Sequence, residues 1–211
     1  MIHLPPARNA LLVELEALGA EDDTRTGTER MLNITRDTGE LLVALALAIG
    51  ARSVLEIGTS NGYSTIWLAT AMERTGGHVR SLEQSAAKVA MARRNIDRAG
   101  VATHATVVQG DAGETLRHVP DASVDLLFLD ADRSRYAAWW PRLDRVLRPG
   151  GLLVVDNATS HAAEMAPLLA LLDAREEYET TVATVGKGEL LAVKHAALPG
   201  VLDDGTPLRE R

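Results

Sequence analysis

Five short apolar runs in this chain end on or beside a carboxylate, and longer amphipathic segments separate them. They are VLEIG from Val54, SLE from Ser81, TVVQGD from Thr106, VDLLFLDAD from Val124 and GLLVVDN from Gly151. The longest follow Leu with Val or Leu without polar alternation, as strands do when helices cover both faces of a parallel sheet. The opening reads as a helix over Ala10–Leu18, a polar connection over Thr24–Arg36, and a helix capped by Asp37 or Thr38 that runs to Ile49 before Gly50. Strands follow at Ser53–Ile57, His78–Leu82, Thr106–Gln109, Val124–Leu129 and Leu152–Val155. Between them come helices at Ser64–Arg74, Ser85–Ala99, Glu114–His118, Tyr136–Leu147 and Ala162–Glu176. Glu179–Val185 and Leu190–Lys194, joined by GKGE, form a hairpin. The expected architecture is a doubly wound α/β domain, its mostly parallel seven-stranded sheet ending in an antiparallel hairpin.

The length of 211 residues suits one such domain, placed at 1–195, with 1–36 as a helical cap. Overlapping the end of that cap, Arg25–Thr38 is a candidate lid, since long polar connections near a site often close over it. The Pro-, Gly- and charge-rich stretch 196–211 reads as a loose tail. Cysteine is absent, which removes disulfides, thiolate metal sites and cysteine nucleophiles. A formal charge of −7 argues against affinity built on broad phosphate neutralisation. Three Trp, three Tyr and one Phe are too few for an extended base-stacking platform. No apolar run is long enough to span a membrane, and MIHLPPARNA lacks the regions of a secretory signal, so a cytoplasmic location is expected.

Ligands of doubly wound sheets bind outside the carboxyl ends of the strands. There the first strand leads into Glu56-Ile57-Gly58-Thr59-Ser60-Asn61-Gly62-Tyr63-Ser64. Gly58 and Gly62 permit close backbone approach, but the spacing is not the dinucleotide pattern G-x-G-x-x-G, which disfavours NAD. A helix start near Ser64 suits a carboxylate and Glu56 suits an ammonium, together the amino acid end of a cofactor. Glu83 ends the second strand 21 residues beyond Gly62, where a carboxylate can accept both hydroxyls of a ribose.

With these residues in hand, the chain resembles the cation-dependent O-methyltransferases, the group of catechol and caffeoyl-CoA O-methyltransferases and small bacterial relatives. The resemblance rests on LEIGTSNGYSTIWLA, GD at 110–111, FLDADRSRY at 128–136 and RPGGLLVVDNATSH at 148–161, in that order, and extends from about Asn33 to Lys194. It implies the Rossmann-like methyltransferase fold and S-adenosylmethionine as cofactor. The cofactor would meet the backbone at Asn33–Ile34, and Glu56, Gly58, Thr59 and Ser64, with Glu83 on the ribose and Ala112 beside the adenine. Asp111 either shares the adenine neighbourhood or caps its loop, and Asp132 lies near the methionine amino group.

The resemblance also implies Asp130, Asp156 and Asn157 as metal ligands, with Asp130 part of the catalytic group. Their oxygen donors suit Mg²⁺, Mn²⁺ or Ca²⁺ over zinc. The family usually carries Lys where this chain has Arg133. A guanidinium cannot act as a base, so Arg133 would stabilise a phenolate or pair with Asp132 or a substrate carboxylate. Deprotonation would rest on the metal, on water or on another group, of which His161, five residues past Asp156, is the nearest in sequence. Trp67 is expected in the core; of Trp139 and Trp140, one is expected in the core and the other near a substrate pocket or dimer contact. The implied substrate is a small catechol-like or other hydroxylated aromatic molecule, and the implied assembly a homodimer. The alternatives are a hydroxyuridine in tRNA as substrate, or a module that binds S-adenosylmethionine without turnover.

Overall fold

The computed structural model describes residues 2–22 and 31–195. The part of the candidate lid from Arg25 to Arg30 and the tail 196–211 lie outside the described residues. Two helices, α1 (Pro6–Asp22) and α2 (Arg36–Ala48), precede the regular alternation. Then come β1 (Ser53–Ile57), α3 (Tyr63–Thr75), β2 (His78–Glu83), α4 (Ala86–Arg98), β3 (Ala105–Gln109) and α5 (Ala112–Leu116). The second half contains β4 (Val124–Leu129), α6 (Tyr136–Val146), β5 (Leu147–Val155), α7 (Ala162–Asp173), β6 (Tyr178–Ala183) and β7 (Glu189–Lys194). The seven strands lie in the order β3-β2-β1-β4-β5-β7-β6, with β7 antiparallel to both its neighbours and every other pairing parallel. No helix of the described residues is long and apolar enough to cross a membrane.

The apolar runs behave as their composition requires. In β4 and β5, Leu126, Phe128, Leu152 and Val154 point into one core, shared with Leu12 of α1, Val43 of α2, Trp67 of α3 and Ile96 of α4. Their immediate neighbours Leu127, Leu129, Leu153 and Val155 point into the other, with Leu116 of α5, Trp139 and Leu143 of α6 and Leu168 of α7. Alternate side chains enter opposite layers because successive Cβ atoms leave a strand on opposite faces.

Several boundaries differ from the sequence reading, each for a local reason. The N-cap of α2 is Thr35, ahead of Asp37 and Thr38, with the Thr35 hydroxyl bonded to both of those side chains. α1 begins at Pro6, a residue suited to a first helical turn because it lacks the N–H that would go unbonded there. α5 begins at Ala112, since the Asp111 carboxylate accepts the Glu114 N–H at 3.1 Å. β5 starts at Leu147, which pairs with Val124 before a register shift, so Pro149 and its glycines lie within the strand. Trp67 is in the core as expected; Trp139 and Trp140 are both buried, the former on a cleft wall and the latter against Tyr178.

α2 lies directly on α3. A Cβ at Gly39 would fall 2.5 Å from the indole ring of Trp67, itself fully buried. Gly39→Ala removes a helix penalty of about 1 kcal/mol. The clash outweighs it, and we expect a net loss of about 1–3 kcal/mol in urea unfolding. A more stable variant would show that α2 moves freely off Trp67.

Candidate active site

The sheet order reverses between β1 and β4, where β1 leads outward to β2 and β3 while β4 leads the other way to β5. The register makes these strands finish level: Ile57 is opposite Leu82 and Leu129, and Leu129 is opposite Val155. Backbone pairing continues one residue further. Gly58 N–H bonds to Leu82 at 3.0 Å, Asp130 N–H to Ile57 at 2.9 Å, and Asp156 N–H to Leu129 at 3.0 Å. At Gly58 the chains are so close that a Cβ would lie 1.9 Å from the Asp130 carbonyl oxygen, and φ is +107°. Only glycine fits there.

A cleft of about 500 Å³ opens above this edge, and Gly58, Glu83, Asp111, Ala112, Asp130, Asp132 and Arg133 all line it. Glu83 is held by two backbone donors, Ser60 N–H on one oxygen and Ser85 N–H on the other, each at 2.9 Å. Asp111 caps α5 and pairs with Arg135 at 2.9 Å, whose guanidinium lies 4.8 Å from the ring centroid of Trp139. Arg135 and Trp139 are wall residues that sequence reasoning did not single out as ligands. Asp132 accepts from the N–H and hydroxyl of Ser134 at the start of a short 3₁₀ turn. The Tyr136 hydroxyl bonds both the N–H and the carbonyl of Ala131, which steadies the loop between Asp130 and Asp132.

Four expected cofactor contacts do not line that cleft. Ile34 is in the core and borders a neighbouring cavity. Glu56, Thr59 and Ser64 lie beneath the floor, linked to one another. Glu56 is fully buried, and its carboxylate accepts the hydroxyls of Ser64 and Thr65 at 2.5 Å and that of Ser81. The Thr59 hydroxyl completes the set on Ser81. Burial raises the proton affinity of Glu56, and the three hydroxyls oppose that. This carboxylate buttresses the glycine turn from below.

Asp130, Asp156 and Asn157 are brought together. The Asn157 amide donates to Asp156 Oδ2 at 2.6 Å and reaches Asp130 Oδ1 at 3.4 Å, and its backbone N–H donates to Asp156 Oδ1 at 2.7 Å. Asn157 has φ +68°, a left-handed conformation that asparagine tolerates better than most residues. Arg133 is half-buried and bonds Glu164 through Nε at 2.9 Å. His161 precedes α7, its ring bonded to the Ser160 hydroxyl at 2.9 Å, and that hydroxyl also approaches Asn157 Oδ1 at 3.3 Å.

A further acid stands here that sequence reasoning missed. β7 runs antiparallel to β5 with Leu190 opposite Val155, so Glu189 arrives beside Asp156 from the far end of the chain. Glu189 is fully buried; Thr38 donates to one oxygen at 2.9 Å, and the other has no hydrogen-bond partner. Its signal in the sequence is a charge set between Gly188 and an apolar strand. Burial, then the charge of Asp156, pushes the Glu189 carboxyl up to about 9; burial, then Asp156 and Glu56, pushes Asp130 up to about 8. Among the described residues no three acidic, imidazole or thiol side chains form a ready-made metal cage. The candidate donor set is instead two carboxylates and an amide, hard oxygen donors that fit Mg²⁺ or Mn²⁺, with an orphaned carboxylate oxygen nearby that a positive charge would satisfy.

Comparison with known proteins follows the same lines. The O-methyltransferase family model matches residues 9–170. A catechol O-methyltransferase of Mycobacterium tuberculosis is 43% identical over 124 residues, which are 59% of this chain and 56% of that relative, so the chain spans little more than half its length. A catechol O-methyltransferase of Niastella koreensis is 33% identical over 153 residues, 67% of this chain and 69% of the relative. Among solved structures, a Streptomyces achromogenes O-methyltransferase involved in tomaymycin synthesis, in complex with SAM, has TM-score 0.75 and 27% identity, covering 88% of this chain and 90% of that one. A Bacillus cereus O-methyltransferase in complex with SAH has TM-score 0.73 and 27% identity over the same shares.

The buried acids give the fold a pH dependence. Groups whose folded values lie above their unfolded ones hold protons in the fold, so the stability they contribute is complete below the usual carboxylate range and is lost as pH rises through the folded values. In buffer free of divalent cations, the thermal midpoint should fall as pH rises from about 5 towards 9. Glu189→Gln should flatten that slope; an equal slope in the variant would place the titration elsewhere.

Proposed function

Because the chain belongs to the O-methyltransferase family, we propose that it transfers the methyl group of S-adenosylmethionine to a hydroxyl of a small catechol-like or other hydroxylated aromatic substrate, with a divalent cation at Asp130, Asp156 and Asn157. The observation that carries this reading is the convergence of those three side chains, of which Asp130 lines the same cleft as Glu83. The names of the two catechol O-methyltransferases support the substrate class, and the SAM and SAH complexes support the cofactor.

Each side chain has work that its surroundings suit. Glu83, aligned by two backbone N–H groups, accepts the ribose hydroxyls. Gly58 lets the cofactor approach the backbone, and Ala112 leaves room for the adenine. Asp132 takes the amino group. Asp130, Asp156 and Asn157 hold the cation, which, when bound, acidifies the substrate hydroxyl. Arg133, anchored by Glu164, keeps a permanent positive charge at the cleft rim and takes no proton. His161, linked to Asn157 through Ser160, is the imidazole positioned to accept the hydroxyl proton. Holding the oxygen in line with the S–CH₃ bond supplies much of the rate, since positioning alone can contribute several kcal/mol.

The test is labelled-methyl transfer from S-adenosylmethionine to a panel of catechols, with Mg²⁺ and with EDTA. We expect transfer only with Mg²⁺, and a loss of about a hundredfold or more in Asp156→Ala. Equal rates in EDTA would overturn the cation; cofactor binding without transfer to any catechol would overturn the substrate class.

A further inference from the structure

The turn between β6 and β7 is fastened to both sides of the acidic cluster. The carbonyls of Gly188 and Lys187 accept the N–H groups of Ala158 at 2.8 Å and Ser160 at 3.2 Å, tying the turn to the loop that carries Asp156 and Asn157. On its other side the Gly186 N–H reaches Asp37 at 3.3 Å, and Glu189 is held by Thr38 at 2.9 Å. A segment pinned at four points presents its central side chain from a defined position. That side chain is Lys187, which lines a cavity of about 300 Å³ together with Leu32, Thr35 and Arg36. Leu32 also lines the main cleft, so the two cavities share a wall.

The charges around Lys187 are unequal. In the smaller cavity Arg36 is paired with Glu16 at 3.0 Å. Arg133, across the cleft, is committed to Glu164. Lys187 has no ion pair among the described residues, and its turn is bonded directly to the loop that carries Asp156 and Asn157. An uncommitted ammonium on a rigid turn beside a carboxylate cluster is suited to an anion that forms between the two.

Resting on the function proposed above, we infer that Lys187 is a catalytic residue that binds the substrate oxygen as it becomes an oxyanion. The substrate hydroxyl first gives its proton to a base. Its oxygen pair then forms the O–CH₃ bond as the S–CH₃ bond breaks and that electron pair stays on sulfur, turning sulfonium and oxyanion into neutral thioether and ether. Lys187 donates a hydrogen bond throughout and keeps its proton.

The experiment compares Lys187→Met, Lys187→Arg and, as a surface control, Arg94→Met with the unaltered protein in two readouts. The first is kcat and KM for catechol. The second is the visible phenolate band of 4-nitrocatechol bound to the SAH-loaded, cation-free protein, titrated with pH. Lys187→Met is expected to lower kcat about tenfold or more while KM changes little, and to raise the pH at which bound nitrocatechol ionises by about one unit. Lys187→Arg restores both, and Arg94→Met, on the exposed face of α4, moves neither appreciably. Wild-type kcat and spectrum in Lys187→Met overturn the inference, as does equal loss in the Met and Arg variants with a lowered thermal midpoint, which marks a structural role. If the unaltered protein neither methylates nor binds any catechol, the parent reading fails and this one with it; transfer by the unaltered protein with no change in Lys187→Met removes Lys187 alone.

Discussion

Parallel strands that finish level crowd acidic side chains into one small volume, and the rest of the molecule is arranged around that crowding. β1, β4 and β5 bring Glu56, Asp130 and Asp156 to the same edge, and β7 adds Glu189 from the opposite direction. Like charges at such separations disfavour ionisation of one another, more so out of water. Each acid meets a different remedy. Glu56 takes three hydroxyls, Glu83 two backbone N–H groups, and Asp156 an amide and a backbone N–H. One oxygen of Glu189 receives nothing. Glu56, enclosed by its three hydroxyls, supports the fold, whereas Glu189 keeps one oxygen without a hydrogen-bond partner beside Asp156.

This division separates structure from chemistry within a single sheet edge. Beneath the cleft, the Glu56 hydroxyl network and the close approach at Gly58 hold the glycine turn rigid. Beside it, Asp130, Asp156 and Asn157 converge through the Asn157 amide. Cations stand on two sides, Arg133 tethered by Glu164 and Lys187 carried on the pinned hairpin turn. On the function proposed, a methyl donor bearing positive charge and an acceptor that becomes negative would both find complementary surroundings there.

Much of the fold was legible because its signals are local. Unbroken apolar runs gave the buried strands, and Ser85 and Gly62 marked helix starts. Errors fell where a tertiary partner moved a boundary. Leu147 joins a strand only because Val124 is there to pair with it, and Asp111 caps a helix two residues earlier than the helix was drawn. In the site, the cleft carboxylates could be placed because they follow strands directly. Glu56 and Ser64, expected at the ligand, bond to each other, and Thr59 bonds to Ser81, since strand-end proximity alone does not say whether a side chain points up into the cleft or down beneath it.

The sequence by itself determined the alternating layers, the edge at which the strand-end acids gather and the oxygen character of the candidate metal donors, because these follow from residue type and spacing along the chain. Tertiary structure alone decided that Glu189 stands beside Asp156, that Glu56 is enclosed by hydroxyls, that Arg133 is drawn to Glu164 and that Lys187 is held on a turn bonded to the Asp156–Asn157 loop. Those facts depend on the register of an antiparallel return and on contacts between residues far apart in the chain. No local pattern encodes such distances; only the packed sheet and its hairpin bring the partners together.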